Sequence, residues 1–280
     1  MPNLAARLTE ALFAEAVTLP HTDIQSVVIR GCWVSLPHLS YAQWPPHTCL
    51  NEKRPDVGGN HNCHFRGTQL GLQNPYKVAS WLYLKPKFKF SGALQKKINR
   101  SKQQAFQCSV GGAALLNEFW SVYARHIHRL GSLPLPKRFF HVLLQGFDEG
   151  FAEIFVLRYQ GKTVGGACNL FVAGFYENAW FATDSGSQKL GASYFLHDQM
   201  ISRAIELSAE VYSFGRSSPQ SGVHQFKRQW GTTDIPLAWY RNGQLITENP
   251  HPLRPLGKLL KYLPFPLVAL LGNWAFKRIY

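Results

Sequence analysis

Three basic residues lie close together in the stretch YSFGRSSPQSGVHQFKRQWG, residues 212–231, namely Arg216, Lys227 and Arg228. Arg216 follows a Phe-Gly strand ending, and the end of a strand in an open sheet offers a crevice for a ligand. A guanidinium there can hold a carboxylate or a phosphate through two parallel hydrogen bonds. The same planar group can instead bind carbonyl oxygens of its own loop, so both interpretations of Arg216 are open.

Lys227 lies on a short helix that the sequence predicts over residues 219–230. Helical spacing divides this segment into an apolar and a polar face, formed by Val223, Phe226 and Trp230 and by His224, Lys227 and Arg228 respectively. We expect the apolar face to pack and the polar face to meet a charged or polar group. The Lys227 ammonium can stabilise negative charge that develops during a reaction. Alternatively, it ties down the preceding loop or pairs with a strand carboxylate.

The elements around these residues follow from the hydrophobic pattern. From residue 153 onward, EIFVLRY, TVGGACNLFVAG and FYENAWFATD predict three consecutive antiparallel strands joined by tight turns. A helix with a wide apolar stripe follows over about 190–208, and strands at 211–214 and 236–240 flank the short helix. The predicted order from residue 153 is therefore β-β-β-α-β-α-β.

A strongly cationic helix is predicted upstream, in SGALQKKINRSKQQAF. Ser91 is placed to cap it, and its basic residues are Lys96, Lys97, Arg100 and Lys102. The chain has a formal net charge of +14, and no acidic residue lies between Asp56 and Glu118. These residues form either a solvated basic face or a surface that binds anions such as nucleic acid, phosphorylated substrates or acidic lipids.

The motif FGRS…G…FK..WG within residues 214–231 resembles the signature of FemAB-like proteins. These belong to the GNAT superfamily of acyltransferases and include peptidyltransferases that use aminoacyl-tRNA, and one subgroup is encoded with exopolysaccharide and PEP-CTERM systems. The likeness extends through RHIHRLGSLPLPKRFF and LRYQGKTVGGACNLF to KLLKYLPFPLVALLG near the C-terminus.

The resemblance implies an α/β (α+β) fold, in which a GNAT-like mixed, mostly antiparallel sheet is flanked by helices. Similar proteins carry two tandem GNAT-like units. The stretch 47–74, rich in Gly, Asn, Pro and Cys, predicts a long loop where the first unit would have a helix. We therefore expect an abridged N-terminal unit over 1–105, an acyltransferase domain over 106–248 and a basic amphipathic tail over 249–280.

The function that the resemblance implies is transfer of an acyl or aminoacyl group to an amine of a cell-envelope or exopolysaccharide precursor. No tightly bound cofactor is expected, and the donor is either aminoacyl-tRNA or acyl-CoA. The expected acceptor is lipid-linked or a saccharide. Two alternatives stay open, an acetyl-CoA-dependent GNAT N-acetyltransferase and a non-catalytic binding protein that retains the fold.

The implied catalytic residues are Lys227 and Arg216, which would stabilise charge and orient the donor. The expected substrate-binding residues are Gly215, Ser217, His224, Phe226, Arg228, Asp184 and Tyr194. Asp184 and Tyr194 can act as base or acid, or they can be a helix-capping charge and a core aromatic. The four cations of the predicted basic helix would attract tRNA, CoA or a phosphorylated lipid carrier.

The segment QKLGAS is a partial match to the loop by which acetyl-CoA-using GNAT enzymes hold the pyrophosphate. Gln188 and Gly191 fit, but Ser193 stands where Gly or Ala is expected. The backbone N–H groups of such a loop bind phosphate at a helix N-terminus. An ordinary helix cap at Ser185 or Ser187 is the competing interpretation.

Five irregularly spaced cysteines and the lack of a signal-like N-terminus predict a cytoplasmic protein without disulfides. Cys49, His61, Cys63 and His64 fit no standard zinc spacing, so we expect an ordinary loop and no metal. The tail combines Leu256, Leu259, Leu260 and Leu263 with Arg254, Lys258 and Lys261. It either lies on an anionic membrane at the inner face or packs back on the first unit.

Overall fold

The computed structural model describes residues 77–84, 89–146, 150–237 and 259–274 in full, and the backbone alone at 26–29, 32–35, 63–68, 238–241, 244–246 and 275–279. The strands are β1 (Ser26–Ile29), β2 (Cys32–Ser35), β3 (Cys63–Thr68), β4 (Lys77–Tyr83), β5 (Phe106–Gly111), β6 (Gly150–Tyr159), β7 (Lys162–Val172), β8 (Phe175–Thr183), β9 (Val211–Ser217), β10 (Thr233–Arg241) and β11 (Gln244–Ile246). The helices are α1 (Gly92–Lys102), α2 (Leu116–Arg129), α3 (Lys137–Leu143), α4 (Ser185–Lys189), α5 (Ala192–Glu206), α6 (Gly222–Arg228) and α7 (Phe265–Ile279), with one 3-10 turn at Ala113–Leu115.

All eleven strands belong to one mixed sheet. Their order is β1-β2-β3-β10-β4-β9-β8-β7-β6-β5, and β11 pairs with β10. Within this sheet the pairs β2–β3 and β8–β9 are parallel, and the other pairs are antiparallel. The predicted mostly antiparallel sheet and the element order from residue 153 are confirmed.

The three-stranded meander β6–β7–β8 forms because its turns suit hairpins. Gln160 and Gly161 have φ values of 50° and 73°, and Ala173 and Gly174 have 44° and 81°. Positive φ at both central residues matches the right-handed twist of the flanking strands. Along β6, Ile154 and Val156 face one core while Phe155 and Leu157 face the other. The meander is therefore buried on both faces of the sheet.

Helices cover both faces of this part of the sheet. On one face, α2 and α3 pack through aromatic residues such as Phe119, Tyr123 and Phe140. On the other face, α1 and α5 bury apolar residues that include Ile98 and Leu196. Ser91 caps α1 as predicted, since its Oγ accepts a hydrogen bond from the N–H of Leu94.

The sheet opens between β8 and β9. These parallel strands pair only at Phe175–Glu177 with Val211–Ser213. Beyond those residues β8 continues to Thr183 and β9 to Ser217 without pairing to each other. The two strands therefore diverge and leave a V-shaped gap, and α5 and α6 follow β8 and β9 along the chain.

The long loop predicted over 47–74 is partly wrong, because residues 63–68 form β3, whose backbone is paired with β10 and β2. Residues 63–68 form a strand because their backbone pairs with strands that are distant in the sequence, and the local sequence does not show such pairing. The remainder of that loop, and the cysteine and histidine side chains at 49–64, lie outside the described residues.

The predicted boundary at residue 105 falls between α1 and β5. Elements on both sides of this boundary contribute to the common sheet and to the helices that cover it. β4 lies between β9 and β10 in the sheet, and the buried residues Leu94 and Ile98 of α1 share a core with α5. The division into units at 105 and 248 stays a prediction. In the part of the chain that the structure describes, none of the helices has the length and apolar character needed to cross a bilayer.

Candidate active site

A pocket of about 460 Å³ occupies the V-shaped gap. Its walls come from the diverging ends of β8 and β9, from the first turns of α5 and from α6. Four of the predicted site residues line it, namely Gly215, Arg216, Phe226 and Lys227. These four residues of the stretch 212–231 therefore lie around one cavity.

Helix α6 directs Lys227 into this pocket. Ser221 begins the helix by accepting a hydrogen bond from the N–H of His224 at 3.2 Å. The predicted division of faces is wrong in part: Phe226 and Trp230 pack against a core cluster as expected, but Val223 is 60% exposed, whereas His224 and Lys227 are 5% and 6% exposed. His224 and Lys227 are buried because they make polar contacts inside the protein, to Asp234 and to the end of β9.

The Lys227 ammonium binds the end of β9. Its Nζ donates hydrogen bonds to the carbonyl oxygens of Gly215 at 3.0 Å and Arg216 at 2.9 Å. The expectation that Lys227 ties down the preceding loop and the expectation that it enters a ligand cleft are therefore compatible. A neutral amine has two N–H donors and an ammonium has three. Among the described residues no third hydrogen-bond partner of Nζ is seen, so the third N–H of the ammonium is available to a ligand.

Burial controls the charge of Lys227. The pKa of Lys227 is lowered to about 7, chiefly by desolvation, and the positive charges of Arg216 and Lys77 act in the same direction. Negative charges on Glu177 and Asp234 act in the opposite direction. Three cations and two carboxylates therefore share this end of the sheet, and an anionic ligand would favour the charged form of Lys227.

Gly215 is required by the geometry at the point where β9 leaves β8. Its φ is +65°, and a Cβ atom there would lie 3.1 Å from the carbonyl oxygen of Asn178. A side chain at this position would be strained in conformation, and the β8 backbone would have to shift by a few tenths of an ångström to make room for its Cβ atom. The glycine therefore lets β9 turn its carbonyl groups toward Lys227.

His197, on the second turn of α5, is a pocket residue that the sequence interpretation missed. Its ring stacks on Phe181 at 4.7 Å and lies 4.7 Å from the ring of Phe214. Burial, with the charge of Lys227, places the pKa of His197 well below its usual range, so the imidazole is neutral. Its Nδ1 lies 2.8 Å from the Tyr212 hydroxyl. If Nδ1–H donates to that hydroxyl, Nε2 keeps a lone pair that can accept a proton.

The other predicted substrate-binding residues lie away from the pocket lining. His224 is buried against Asp234, with its Nε2 2.9 Å from a carboxylate oxygen. Asp184 caps α4 by accepting a hydrogen bond from the N–H of Ser187 at 2.6 Å, and the Tyr194 hydroxyl donates to Gln229 at 3.0 Å. Ser217 is buried at the end of β9, and Arg228 is exposed on α6.

The four cations of α1 have different surroundings. Lys97 donates to the side-chain oxygen of Gln229 at 2.7 Å and lies 5.5 Å from the centre of the Tyr194 ring. Lys102 forms an ion pair with Asp198 on α5 at 2.8 Å. Lys96 and Arg100 are exposed to solvent. The anion-binding role of this helix stays a prediction.

The segment QKLGAS borders the same pocket. Gln188 and Ser193 line it, and both side chains contact the Thr183 hydroxyl, at 3.1 Å and 3.4 Å. Gly191 begins α5 with a φ of +89°, and a Cβ atom there would lie 3.0 Å from Cβ of Ser101. The N-terminus of α5 therefore opens beside the gap between β8 and β9.

Comparison with known proteins is consistent with this geometry. Residues 91–228 match the sequence model of the acetyltransferase (GNAT) domain family. A comparison with curated proteins gives no match.

Several solved structures share the fold. The C-terminal domain of a putative lysylphosphatidylglycerol synthetase from Agrobacterium fabrum aligns with a TM-score of 0.58 and 11% identity, over 93% of this chain and 91% of that one. L-PGS from Bacillus licheniformis aligns with a TM-score of 0.55 and 14% identity, over 95% and 96%. FemX aligns with a TM-score of 0.50 and 12% identity, over 66% of this chain and 64% of FemX. This chain thus spans less than two thirds of the length of FemX, and identities this low show a shared fold alone.

The family match covers the elements that build the pocket, from α1 through β8, α5 and β9 to α6. Residues 91–228, which include these elements, are therefore similar to the acetyltransferase (GNAT) domain family.

Proposed function

We propose that the protein is an N-acyltransferase whose reaction takes place in the gap between β8 and β9, with Lys227 and Arg216 at the donor. The observation that carries this proposal is the buried Lys227 side chain, which lines the pocket and has one N–H left for a ligand when charged. Burying this cation costs free energy that the nearby carboxylates of Glu177 and Asp234 offset only in part, since the pKa of Lys227 stays below its ordinary value, and an anionic ligand would offset more of that cost.

The proposed reaction is direct attack by a neutral amine on the acyl carbonyl carbon. A C–N bond forms, the carbonyl oxygen takes up the negative charge, and the bond from carbon to the sulfur or oxygen of the carrier then breaks. The third N–H of Lys227 stabilises the oxyanion. The lone pair of His197 accepts the proton that the amine releases, and the imidazolium then gives this proton to the departing thiolate or alkoxide, which regenerates neutral His197.

The charges at this end of the sheet support a donor with phosphate groups. Arg216, Lys77 and Lys227 lie close enough to influence one another electrostatically. Acyl-CoA and aminoacyl-tRNA both carry phosphates, so these cations suit either donor. The segment QKLGAS, residues 188–193 at the N-terminus of α5, favours neither donor, because it matches the CoA-binding loop only in part.

The proposed acceptor is the amine of a lipid-linked or saccharide precursor of the cell envelope or of an exopolysaccharide, reached from the cytoplasmic side. One structural neighbour is the C-terminal domain of a putative lysylphosphatidylglycerol synthetase, and this name describes a lipid that carries an amino acid. That name supports an acceptor with a lipid part. The motif FGRS…G…FK..WG supports the subgroup associated with exopolysaccharide and PEP-CTERM systems.

Filling the pocket tests this proposal. Val223 lines the pocket and is 60% exposed, so Val223→Trp is expected to narrow the pocket without disturbing the core. Calorimetric titration with acetyl-CoA and with a charged tRNA mixture is expected to show binding of one donor. In Val223→Trp this affinity is expected to fall by about tenfold or more, which is a loss of roughly 1.4 kcal/mol.

Val110→Trp is the matched control, because Val110 is 46% exposed on β5 and lies outside the pocket lining. It is expected to bind the donor as the wild type does. Equal donor affinity in wild type and Val223→Trp would place the donor elsewhere and contradict the proposed site.

A further inference from the structure

Helix α7 has two apolar faces. One face packs against the domain: Val268 is fully buried, and Gly272 lies so close to Pro134 that a Cβ atom would be 2.6 Å from the Pro134 carbonyl oxygen. The ring of Phe265 lies 6.4 Å from that of Trp120 on α2. These contacts fix the orientation of α7 and define its second face.

The second face is exposed. Leu267, Leu270 and Trp274 are 42%, 64% and 60% exposed. Their spacing of three and four residues places them along one side of the helix, away from Val268 and Gly272. The preceding segment adds Leu259 and Tyr262, which are 61% and 86% exposed. We call these five residues the tail surface.

The sequence around the tail surface is basic. Residues 249–280 contain five Lys and Arg residues and no Asp or Glu. Lys261 lies in the chain between Leu259 and Tyr262 of the tail surface and is exposed. Exposed apolar residues grouped in this way mark an interaction site. The basic residues of this segment complement the negatively charged headgroups of a lipid bilayer. The exposed leucines, with Tyr262 and Trp274, complement the apolar boundary beneath those headgroups.

We propose that the tail surface binds an anionic lipid bilayer, with the side chains of Leu267, Leu270 and Trp274 entering the boundary between headgroups and acyl chains. The exposed Lys261 contacts the headgroups. The inference depends on the exposure and charge of this surface and not on the acyl-transfer reaction. It therefore stands or falls separately from the proposed function.

Vesicle cosedimentation of the full chain tests the inference. The wild type is expected to bind vesicles of phosphatidylcholine mixed with phosphatidylglycerol at least about tenfold more tightly than vesicles of phosphatidylcholine alone, and added salt is expected to reduce this difference. Leu270→Glu is expected to abolish most of the binding, because it places a carboxylate in the apolar face. Lys261→Gln is expected to weaken binding to the anionic vesicles alone.

Ile205→Glu is the matched control, because Ile205 is 54% exposed on α5 and lies outside the tail surface. It is expected to bind vesicles like the wild type. Failure of the wild type to bind anionic vesicles, or unchanged binding by Leu270→Glu, would overturn the inference. The inference would also be overturned if the wild type is a dimer and Leu270→Glu is a monomer, because the tail surface would then join two copies of the chain. Donor binding by Leu270→Glu is expected to match the wild type, so that loss of vesicle binding cannot be confused with failure of the proposed site.

Discussion

Replacing Lys227 with Met is expected to lower kcat for acyl transfer by about 10²- to 10³-fold, the usual effect of removing one donor to a developing oxyanion. Met keeps the volume of the side chain but removes the N–H that remains after Gly215 and Arg216 are bound. In the wild type, kcat/KM is expected to fall as pH rises through about 7, because the free enzyme loses the third N–H there. The measurement is transfer from the donor that the wild type binds.

Two further variants separate chemistry from folding. Lys162→Met removes an exposed lysine at the start of β7 and is expected to keep the wild-type rate. His197→Asn keeps a hydrogen-bonding group but no base, so we expect slower transfer with donor affinity unchanged. If Lys227→Met folds and transfers the acyl group at the wild-type rate, Lys227 has only a structural role.

Lys227 is also expected to make stability depend on pH. Its folded-state pKa, about 7, lies below the value of 10.5 for an ordinary lysine. Between these two values the unfolded chain binds more protons than the native protein, so the free energy of unfolding rises with pH. Each pH unit in this window contributes on the order of 1.4 kcal/mol. Below pH 7 both states are protonated, and the cost of burying the charge is then present in full.

The comparison with Lys227→Met isolates this contribution from other titrating groups. Urea unfolding of both proteins between pH 7 and 10 is expected to show the wild type gaining stability relative to the variant as pH rises. The Lys162→Met variant, which loses an exposed lysine, is measured in parallel as the control for removal of a surface lysine. A constant difference for Lys227→Met would mean that Lys227 is not desolvated in the folded protein.

Local sequence was sufficient for the fold around the site. Apolar alternation and turn residues predicted β6, β7 and β8, and Ser91 with its following residues predicted α1. The motif that contains Arg216 and Lys227 indicated the end of β9 and the helix after it. These features depend on neighbours in the sequence, which is why they could be predicted.

The remaining features depend on contacts between distant parts of the chain. His197 lies on a helix whose apolar stripe is typical of core packing, so nothing local distinguished it from a buried structural histidine. The cations near Lys227 include Lys77 from β4, which only the order of strands brings there. The buried face of α6 was assigned correctly for Phe226 and Trp230 but wrongly for Val223 and His224, because hydrophobicity alone favoured Val223.

The central claim is that the Lys227 amine contacts the activated donor, and NMR titration of the lysine side chains in labelled protein tests it most directly. The assignment of Lys227 comes from the signal missing in Lys227→Met. We expect a Lys227 pKa of about 7 in the free protein and a higher Lys227 pKa when the donor is bound, because the negative charge of the donor favours the ammonium. A Lys227 pKa that saturating donor leaves unchanged would show that the amine does not contact the donor.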